Sequence, residues 1–478
     1  MTTISSHPAA RPAADAVVAM PRGRRQTELL MLVFAVGVVL LAYASVGLGL
    51  NGKLPAGIAE YGLAFAVIVF AAHLAVRRLT PWADPLLLPL AALLNGLGIV
   101  MIYRLQQSGR NGNPGFQIST MTASSTTQQV LYSALGVAAF VGVLAFIREV
   151  RVLQRYTYTL GAAGLFLLAI PALLPASHSA INGAKVWILL GPIKLEPGEF
   201  AKLALAVFFA GYLVAKRDVL ALAGRRFLGI DLPRGRDLGP VLIAWAASLL
   251  ILIFETDIGM SALFFGLFLA MIYVATQRTS WLLIGVALFL FGAFVASNLI
   301  GHVGERFDIW LHPFAGLNPT HNAYQLVQGL EGMGFGGILG TGLGQGQPFL
   351  TPLAQSDFIV TAFGEELGLA GLMAMLLIFG LMVQRGLRAA ISVRDPFSKL
   401  LGGGLAFVIA LQVFIIVGGV TGLIPLTGIT TPFLSQGGSS LVASWALIAL
   451  LMRISDAARR PAPQPIQDEG MTQVVRAG

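Results

Sequence analysis

The sequence predicts an all-α integral membrane protein that crosses the bilayer about twelve times. Hydrophobic residues make up 56% of its 478 residues and charged residues only 11%, whereas about a quarter of a soluble domain is charged. The mean hydropathy is +0.79. Uncharged runs of roughly 18 to 25 residues recur, and each is long enough to cross a hydrocarbon core of about 30 Å as a helix. A soluble core could not bury so many such runs.

Hydropathy places the helices near residues 28–48, 59–77, 84–103, 128–147, 155–174, 198–215, 239–254, 258–276, 280–300, 357–384, 399–423 and 435–453. Residues 1–27 and 456–478 are predicted to be disordered cytoplasmic tails. No clear small-residue cleavage site precedes or follows the first apolar run, so we interpret that run as a retained helix and not as a removed signal peptide.

Lys and Arg fall on alternate connections between these helices. Of the 31 basic residues, 24 lie on one side of the membrane if the N-terminus is cytoplasmic, as the positive-inside rule requires. This topology explains the net charge of +9 without a nucleic-acid partner. It predicts a multi-pass protein of the inner membrane with both termini in the cytoplasm. The chain has no cysteine, which excludes disulfides and thiolate metal sites.

Three segments with unusual polar content are predicted to face outward, namely residues 176–197, 255–257 and 301–356. Function is expected there, because charges in or beside spanning helices are costly and often mark a site.

Each of the first two segments leads into a helix and places an acid near its start; near the first helix there are also lysines. Lys185 precedes a helix start at Pro197, and Glu199 and Lys202 lie on one face of that helix. An acid just after such a proline is also typical of an ordinary helix start. Asp257, at the second segment, is either an N-cap or a site residue.

The long segment 301–356 carries Arg306, Gln325, Gln328 and a glycine-rich run, Gly334–Gly346. Glycines allow the backbone to approach a phosphate or a sugar closely. The run is not interpreted as a nucleotide motif, because no βαβ pattern surrounds it.

Carboxylates recur at the start of the following helix. Asp357 lies at its beginning, and Glu365 and Glu366 follow about two turns later. The three are predicted to converge, and a partly desolvated acid at the membrane boundary is suited to act as a general base on a sugar hydroxyl. An N-cap role for Ser356 or Asp357 remains the alternative.

Gly and Pro interrupt the last polar segment, Gly418–Gly428 followed by Thr431–Ser440, which ends with Ser439 and Ser440. Irregular backbone at membrane depth occurs only where it is buried or lines a cavity. Close helix packing through small residues is the alternative interpretation.

Taken together, these segments resemble the SEDS family (shape, elongation, division and sporulation), the RodA/FtsW glycosyltransferases. The resemblance runs from about residue 130 to 455, with the motifs in family order: Asn182–Lys185 with Pro197 and Glu199, Asp257–Gly259, Tyr324–Gly346, Ser356–Phe358 with Glu365–Gly368, and Pro425–Ser440. Two extra N-terminal helices and the stretch from Asp84 to Gly98 are more similar to actinobacterial RodA, the elongation branch, than to FtsW.

The resemblance implies a ten-helix core in residues 128–455, preceded by membrane helices in residues 28–127. It implies that lipid II is polymerised into glycan strands at the outer face of the membrane, with release of undecaprenyl pyrophosphate. It also implies a class B penicillin-binding protein as partner. Two other functions remain open, a flippase for the lipid-linked precursor and a non-catalytic scaffold for that partner.

For the site, the resemblance implies that Asp357 is the catalytic base. Lys185, Lys202, Arg306 or a divalent cation such as Mg²⁺ or Mn²⁺ would meet the charge of the leaving group. The other candidate substrate-binding residues are Glu199, Asp257, Gln325, Gln328, Glu365, Glu366, Ser439 and Ser440.

Some positions depart from the family pattern. Leu353 follows Pro352 where the family often has Pro-Glu, and residues 346–357 contain no basic residue. Gly198 stands where Ser is usual, and Gln436 where Tyr is common. Phosphate contacts that belong to this loop in the family are therefore not expected here.

Overall fold

The structure is a computed structural model in which long helices form a bundle. It describes residues 22–110, 125–180, 185–191, 193–220, 223–227, 230–233, 239–255, 257–315 and 323–461. Eleven helices in these ranges are long and apolar enough to cross a membrane. The remaining predicted segment, 239–254, is also a helix, but it has only 17 residues, Gly239–Glu255. The predicted all-α polytopic class is confirmed.

In chain order the helices are α1 (Arg22–Asn51), α2 (Ile58–Leu79), α3 (Leu87–Arg110), α4 (Ser125–Phe146), α5 (Thr157–Leu173), α6 (Ala176–Ser179), α7 (Pro197–Leu220), α8 (Gly239–Glu255), α9 (Ile258–Thr276), α10 (Thr279–Leu299), α11 (Gly301–Leu311), α12 (Ala323–Gly336), α13 (Ile359–Ser392), α14 (Pro396–Val420) and α15 (Gly438–Arg459). Within the described residues, 3₁₀ helices span Val150–Tyr156 and Pro348–Leu350.

The first and last helices extend into both predicted tails. Helix α1 begins at Arg22, and its Arg25 Nε donates to Pro81 O at 3.1 Å. Helix α15 continues to Arg459, and Asp456 Oδ1 accepts a hydrogen bond from Trp82 N at 2.8 Å. Hydropathy does not detect such polar helix ends, because their partners lie elsewhere in the chain. The remaining tail residues, 1–21 and 462–478, lie outside the described residues.

Segments predicted as connections contain further structure. Residues 301–356 include α11 and α12, and the apolar side chains of Val303 and Ile309 bury one face of α11. Residues 176–197 contain α6 and an antiparallel hairpin, β1 (Ile188–Leu190) and β2 (Ile193–Leu195). A second hairpin, β3 (Ala223–Phe227) and β4 (Ile230–Pro233), lies between α7 and α8.

Helix α13 is interrupted at Gly368, where φ is +67° and ψ is −170°. This left-handed φ favours glycine, because a Cβ would be strained there. The amides freed at the break donate to the segment after α12, from Leu369 N to Gly337 O at 2.9 Å and from Ala370 N to Ile338 O at 3.0 Å. The break therefore satisfies its backbone groups within the protein.

Four helices, α7, α9, α13 and α15, begin at the same end of the bundle, which we call the site end. Glu196 N, just before α7, donates to Ser439 Oγ in the first turn of α15 at 2.9 Å. Ser435 Oγ, just before α15, donates to Ser356 O, just before α13, at 2.6 Å. These bonds bring segments far apart in sequence to one place.

Candidate active site

Asp257 caps helix α9 and also lies at the site end. Its Oδ1 accepts a hydrogen bond from Met260 N at 2.9 Å, so the N-cap interpretation is confirmed. Burial raises the pKa of Asp257 to about 6, against the opposing effects of this hydrogen bond and of Arg306. The neighbouring Gly259 packs directly on the Pro425–Ser440 segment, since an added Cβ would lie 2.4 Å from Ile429 Cγ2.

Asp357 and Arg306 face each other across Gly428. A Cβ placed on Gly428 would lie 3.6 Å from Asp357 Oδ2 and 3.7 Å from Arg306 Nη1. Gly428 itself has a φ of +76°. A side chain here would be strained, and it would fill the space between the acid and the guanidinium. Arg306 Nη1 donates to Leu426 O at 3.1 Å, which fixes α11 to this segment.

The pKa of Asp357 is raised to about 7. Burial is the largest cause, and Asp257 adds repulsion, while a hydrogen bond from Ser356 and the charge of Arg306 act in the opposite direction. A carboxyl group with a pKa near neutrality is partly ionised at physiological pH, so it can accept a proton. It is also basic enough for the proton transfer to be favourable. Asp357 therefore has the electrostatic properties of a general base.

Glu199 and Lys202 form a buried ion pair in the first turns of α7. Lys202 Nζ also donates to Gln412 Oε1 at 3.0 Å, and Gln412 Nε2 donates to Thr430 O at 2.9 Å. This chain of contacts joins α7 to α14 and to the Pro425–Ser440 segment. The ammonium group of Lys202 is enclosed and paired in this structure, and its role as a counter-charge for the leaving group stays a prediction.

Glu196 belongs to the site, although the sequence did not single it out. Its side chain is 8% exposed, and burial raises its pKa, with repulsion from Glu199 and Asp257 as the next causes. The available signal was an acid directly before the proline that starts α7, within a segment already rich in polar residues. Ser439 Oγ accepts a hydrogen bond from Glu196 N. The buried Ser440 Oγ has no hydrogen-bond partner among the described residues.

Glu365 and Glu366 form a second cluster, separate from the contacts of Asp357. Glu366 Oε1 accepts a hydrogen bond from Arg104 Nε at 2.6 Å, and its Oε2 accepts one from Gly344 N at 3.1 Å. Glu365 Oε1 accepts from Gln347 N at 2.5 Å. The predicted convergence with Asp357 is thus replaced by a different role, in which both glutamates hold the glycine-rich run and Arg104.

The glycine-rich run itself packs against protein backbone. A Cβ on Gly340 would lie 2.2 Å from Glu366 O, and one on Gly336 would lie 2.3 Å from Gly364 O. The glycines were predicted to let the backbone come close to a phosphate or a sugar. In this structure Gly336 and Gly340 instead lie close to the backbone of helix α13.

The remaining candidates show no contact with Asp357 among the described residues. Gln325 Nε2 donates to Pro352 O at 2.9 Å, and Gln328 Nε2 donates to Glu331 Oε2 at 3.0 Å. Lys185 is half-buried, and no hydrogen bond or ion pair joins it to another described residue. Residues 181–184, which precede it in the predicted motif, lie outside the described residues.

The predicted divalent cation stays a prediction. Among the described residues, no three Asp, Glu or His side chains are placed to share one ion, and Mg²⁺ commonly binds through one or two carboxylates together with the phosphates of its substrate.

The fold and the site together define the class of this protein, a polytopic membrane protein with a buried carboxylate cluster where four helices begin. The cell cycle protein family of FtsW, RodA and SpoVE matches residues 84–460, and the chain belongs to this family. The match begins earlier than the predicted residue 130. It contains ten of the twelve long helices described above, so α1 and α2 precede it.

Particular relatives narrow this class. The chain is 50% identical over 442 residues to the peptidoglycan glycosyltransferase RodA of Mycobacterium tuberculosis, covering 92% of each chain. The rod shape determining protein RodA of Thermus thermophilus has a similar fold, with a TM-score of 0.54 and 23% identity over 79% of this chain and 98% of that one. A chain from a structure entitled "Structural coordination of polymerization and crosslinking by a peptidoglycan synthase complex" gives a TM-score of 0.52 at 23% identity, covering 84% of this chain and 98% of that chain.

Proposed function

We propose that this protein is a peptidoglycan glycosyltransferase of the elongation branch, which polymerises lipid II into glycan strands. The 50% identity to a glycosyltransferase of that name, over 92% of both chains, supports the activity. The single structural observation that carries the catalytic assignment is the placement of Asp357 and Arg306 around Gly428, with Asp357 Oδ2 and Arg306 Nη1 lying 3.6 and 3.7 Å from its Cβ position.

The ionised carboxylate of Asp357 accepts the proton of the acceptor sugar hydroxyl. The hydroxyl oxygen then forms a bond to the anomeric carbon of the donor sugar, and the bond from that carbon to the pyrophosphate oxygen breaks. The proton ends on Asp357 and the bonding electrons leave with undecaprenyl pyrophosphate. Holding both sugars beside the base supplies the proximity that such a transfer needs.

Positive potential at the site end supports departure of the pyrophosphate. Arg306 provides a guanidinium beside Asp357. The N-termini of α7, α9, α13 and α15 also converge there, and each carries a partial positive charge from its backbone amides. Fixed dipoles and charges aimed at a developing anion stabilise the transition state. A divalent cation would arrive with the pyrophosphate of the substrate, and no step above depends on one.

The substitution Asp357→Asn tests the catalytic assignment. It keeps the size of the side chain but removes the proton acceptor, so polymerisation of labelled lipid II by the purified protein should fall by about 10² to 10⁴-fold. Asp395→Asn is the matched control, because Asp395 caps α14 through Ser398 N at 2.8 Å and Asn is an equally good cap. That variant should keep full activity.

The same experiment separates the alternatives. Polymer formation by Asp357→Asn at the rate of the unsubstituted protein would remove this residue from the chemistry. A scaffold would recruit its transpeptidase normally and make no polymer in either form. A flippase would move labelled precursor between leaflets without joining it.

We further propose that the site end faces outward and that both termini are cytoplasmic, as the distribution of Lys and Arg predicts. The absence of cysteine permits a direct test with single-cysteine variants. In intact cells a membrane-impermeant maleimide should label Lys194→Cys and not Arg217→Cys, since both native side chains are exposed, at opposite ends of the bundle. The reverse pattern would contradict the orientation.

A class B penicillin-binding protein is the proposed partner. The structural likeness to a chain of a peptidoglycan synthase complex supports it. Co-purification of the two proteins, with a higher polymerisation rate than that of this chain alone, is the expected result.

A further inference from the structure

Residues Phe335–Leu339, which we call the apolar tip, form the end of α12 and the turn after it, and they expose large hydrophobic side chains. Phe335 is 81% exposed, Ile338 71% and Leu339 83%. No charged residue occurs between positions 332 and 356. A contiguous apolar patch of this kind is unfavourable in water and marks a surface that something apolar covers.

The position of the tip identifies what covers it. Its carbonyl groups at Gly337 and Ile338 accept hydrogen bonds from Leu369 N and Ala370 N, at 2.9 and 3.0 Å. The tip therefore lies at the same depth along the bundle as Leu369 and Ala370, the residues of α13 directly after the break at Gly368.

That level is the edge of the hydrocarbon core. Helix α13 has no charged residue from 367 to 384, and Arg385 follows. These 18 residues span about 27 Å at 1.5 Å per residue. A hydrocarbon core of about 30 Å needs this whole stretch, so the core begins close to Leu367–Leu369.

The tip also continues a lipid-facing stripe. Leu369, Met373 and Leu377 recur every four residues along α13, and each is more than half exposed. Leu369, at the top of the stripe, bonds to the tip through its own amide. The exposed side chains of the tip thus extend a surface that already faces acyl chains.

The backbone of the tip is compatible with such a place. Gly337 N donates to Gly334 O at 3.2 Å and Gly340 N to Gly336 O at 2.8 Å, in addition to the two bonds with α13. Backbone groups that are satisfied within the protein can enter an apolar medium at low cost.

We propose that the apolar tip is a monotopic membrane anchor, inserted among the acyl chains of the leaflet nearest to Asp357. The anchor would set the height of the rest of the glycine-rich run, Gly340–Gly346, which follows the tip directly. This proposal does not depend on the proposed glycosyltransferase activity.

Spin labels at single cysteines test the proposal in the full chain, reconstituted in phosphatidylglycerol and phosphatidylethanolamine vesicles. Leu339→Cys and Phe335→Cys report on the tip, Leu377→Cys on the lipid-facing stripe, and Lys194→Cys on water at the site end. Collisions with molecular oxygen, which concentrates in lipid, and with a water-soluble nickel chelate are measured at each label.

Both tip labels should collide with oxygen as Leu377→Cys does and should be protected from the nickel chelate. Chelate collisions as frequent as those of Lys194→Cys, at either tip position, would place the tip in water and overturn the proposal. Each substituted side chain is exposed, so the substitutions leave internal packing unchanged. Retained polymerisation by the labelled proteins would confirm their fold without bearing on the proposal.

Discussion

At Asp357, burial and a nearby guanidinium act in opposite directions on one carboxyl group. Burial raises its pKa to about 7, and the charge of Arg306 limits the rise. The acid must be ionised to accept a proton, so polymerisation should decrease as the pH falls through about 7.

The substitution Arg306→Gln should move this acidic limb of the pH–rate profile to higher pH. Removing the cation removes a contribution that lowers the pKa of Asp357, so the carboxyl group stays protonated to a higher pH. The measurement is the polymerisation rate as a function of pH. Arg217→Gln, an exposed arginine on α7, should leave the profile unchanged. A limb that stays in place or moves to lower pH in Arg306→Gln would contradict the electrostatic role.

At the scale of the element, helix α7 contains a buried ion pair that works as a structural connection. Lys202 contacts Glu199 on its own helix and Gln412 on α14. Two paired charges in a dry interior need each other, because each one alone would be an uncompensated buried charge.

Lys202→Met should therefore destabilise the protein by about 3 to 5 kcal/mol. The double substitution Glu199→Gln with Lys202→Met should recover much of that loss, because no isolated charge remains. Thermal unfolding in detergent measures both effects. Arg217→Met on the same helix breaks only an exposed pair with Asp218 and should cost less than about 1 kcal/mol. If the single and double variants were equally destabilised, the pair would not be the cause.

Helix α13 depends on the glycine at its break. Gly368→Ala should destabilise the protein by about 1 to 3 kcal/mol, because its φ of +67° strains an L-residue. The new Cβ would also lie 2.3 Å from Gly340 N. Gly380→Ala is the control in the same helix, since nothing lies within 4 Å of its Cβ position. Equal melting temperatures for the two variants would show that the break is not constrained.

At the scale of the whole molecule, the N-terminal helices are integrated with the rest of the bundle although they precede the family match. A Cβ on Gly49 of α1 would lie 2.4 Å from Leu343 O, and one on Gly344 would lie 2.8 Å from Val46 O. The end of α1 therefore packs against the glycine-rich run, which Arg104 and Glu366 also contact through hydrogen bonds at Gly346 and Gly344.

Gly49→Leu should weaken this packing by about 1 to 3 kcal/mol, as overpacking usually does. Polymerisation should fall as well, because the displaced run leads directly to the segment before Asp357. Gly37→Leu is the control in the same helix, where the Cβ position is open. Melting temperature and polymerisation rate are compared for the two variants. Unchanged values for Gly49→Leu would mean that α1 does not support the run.

The sequence by itself determined the class of the protein, the places of its long helices and the segments that carry the site. These features follow from local properties, since the length of an apolar run and the position of charges need no knowledge of distant residues. Asp357, Asp257 and Arg306 stood out as polar residues in those segments, the family resemblance implied their roles in the site, and the structure brings them together.

Only the tertiary structure decided the partners of the other polar residues. Glu366 bonds to Arg104 across 262 positions of sequence, and Lys202 is closed off by Gln412, 210 positions away. Glu196 was missed because its burial and its contacts with Ser439 and Asp257 depend on the packing of other helices against the start of α7. The physical reason is that the energy of a charge depends on burial and on distances of a few ångströms, and these are set when remote segments pack.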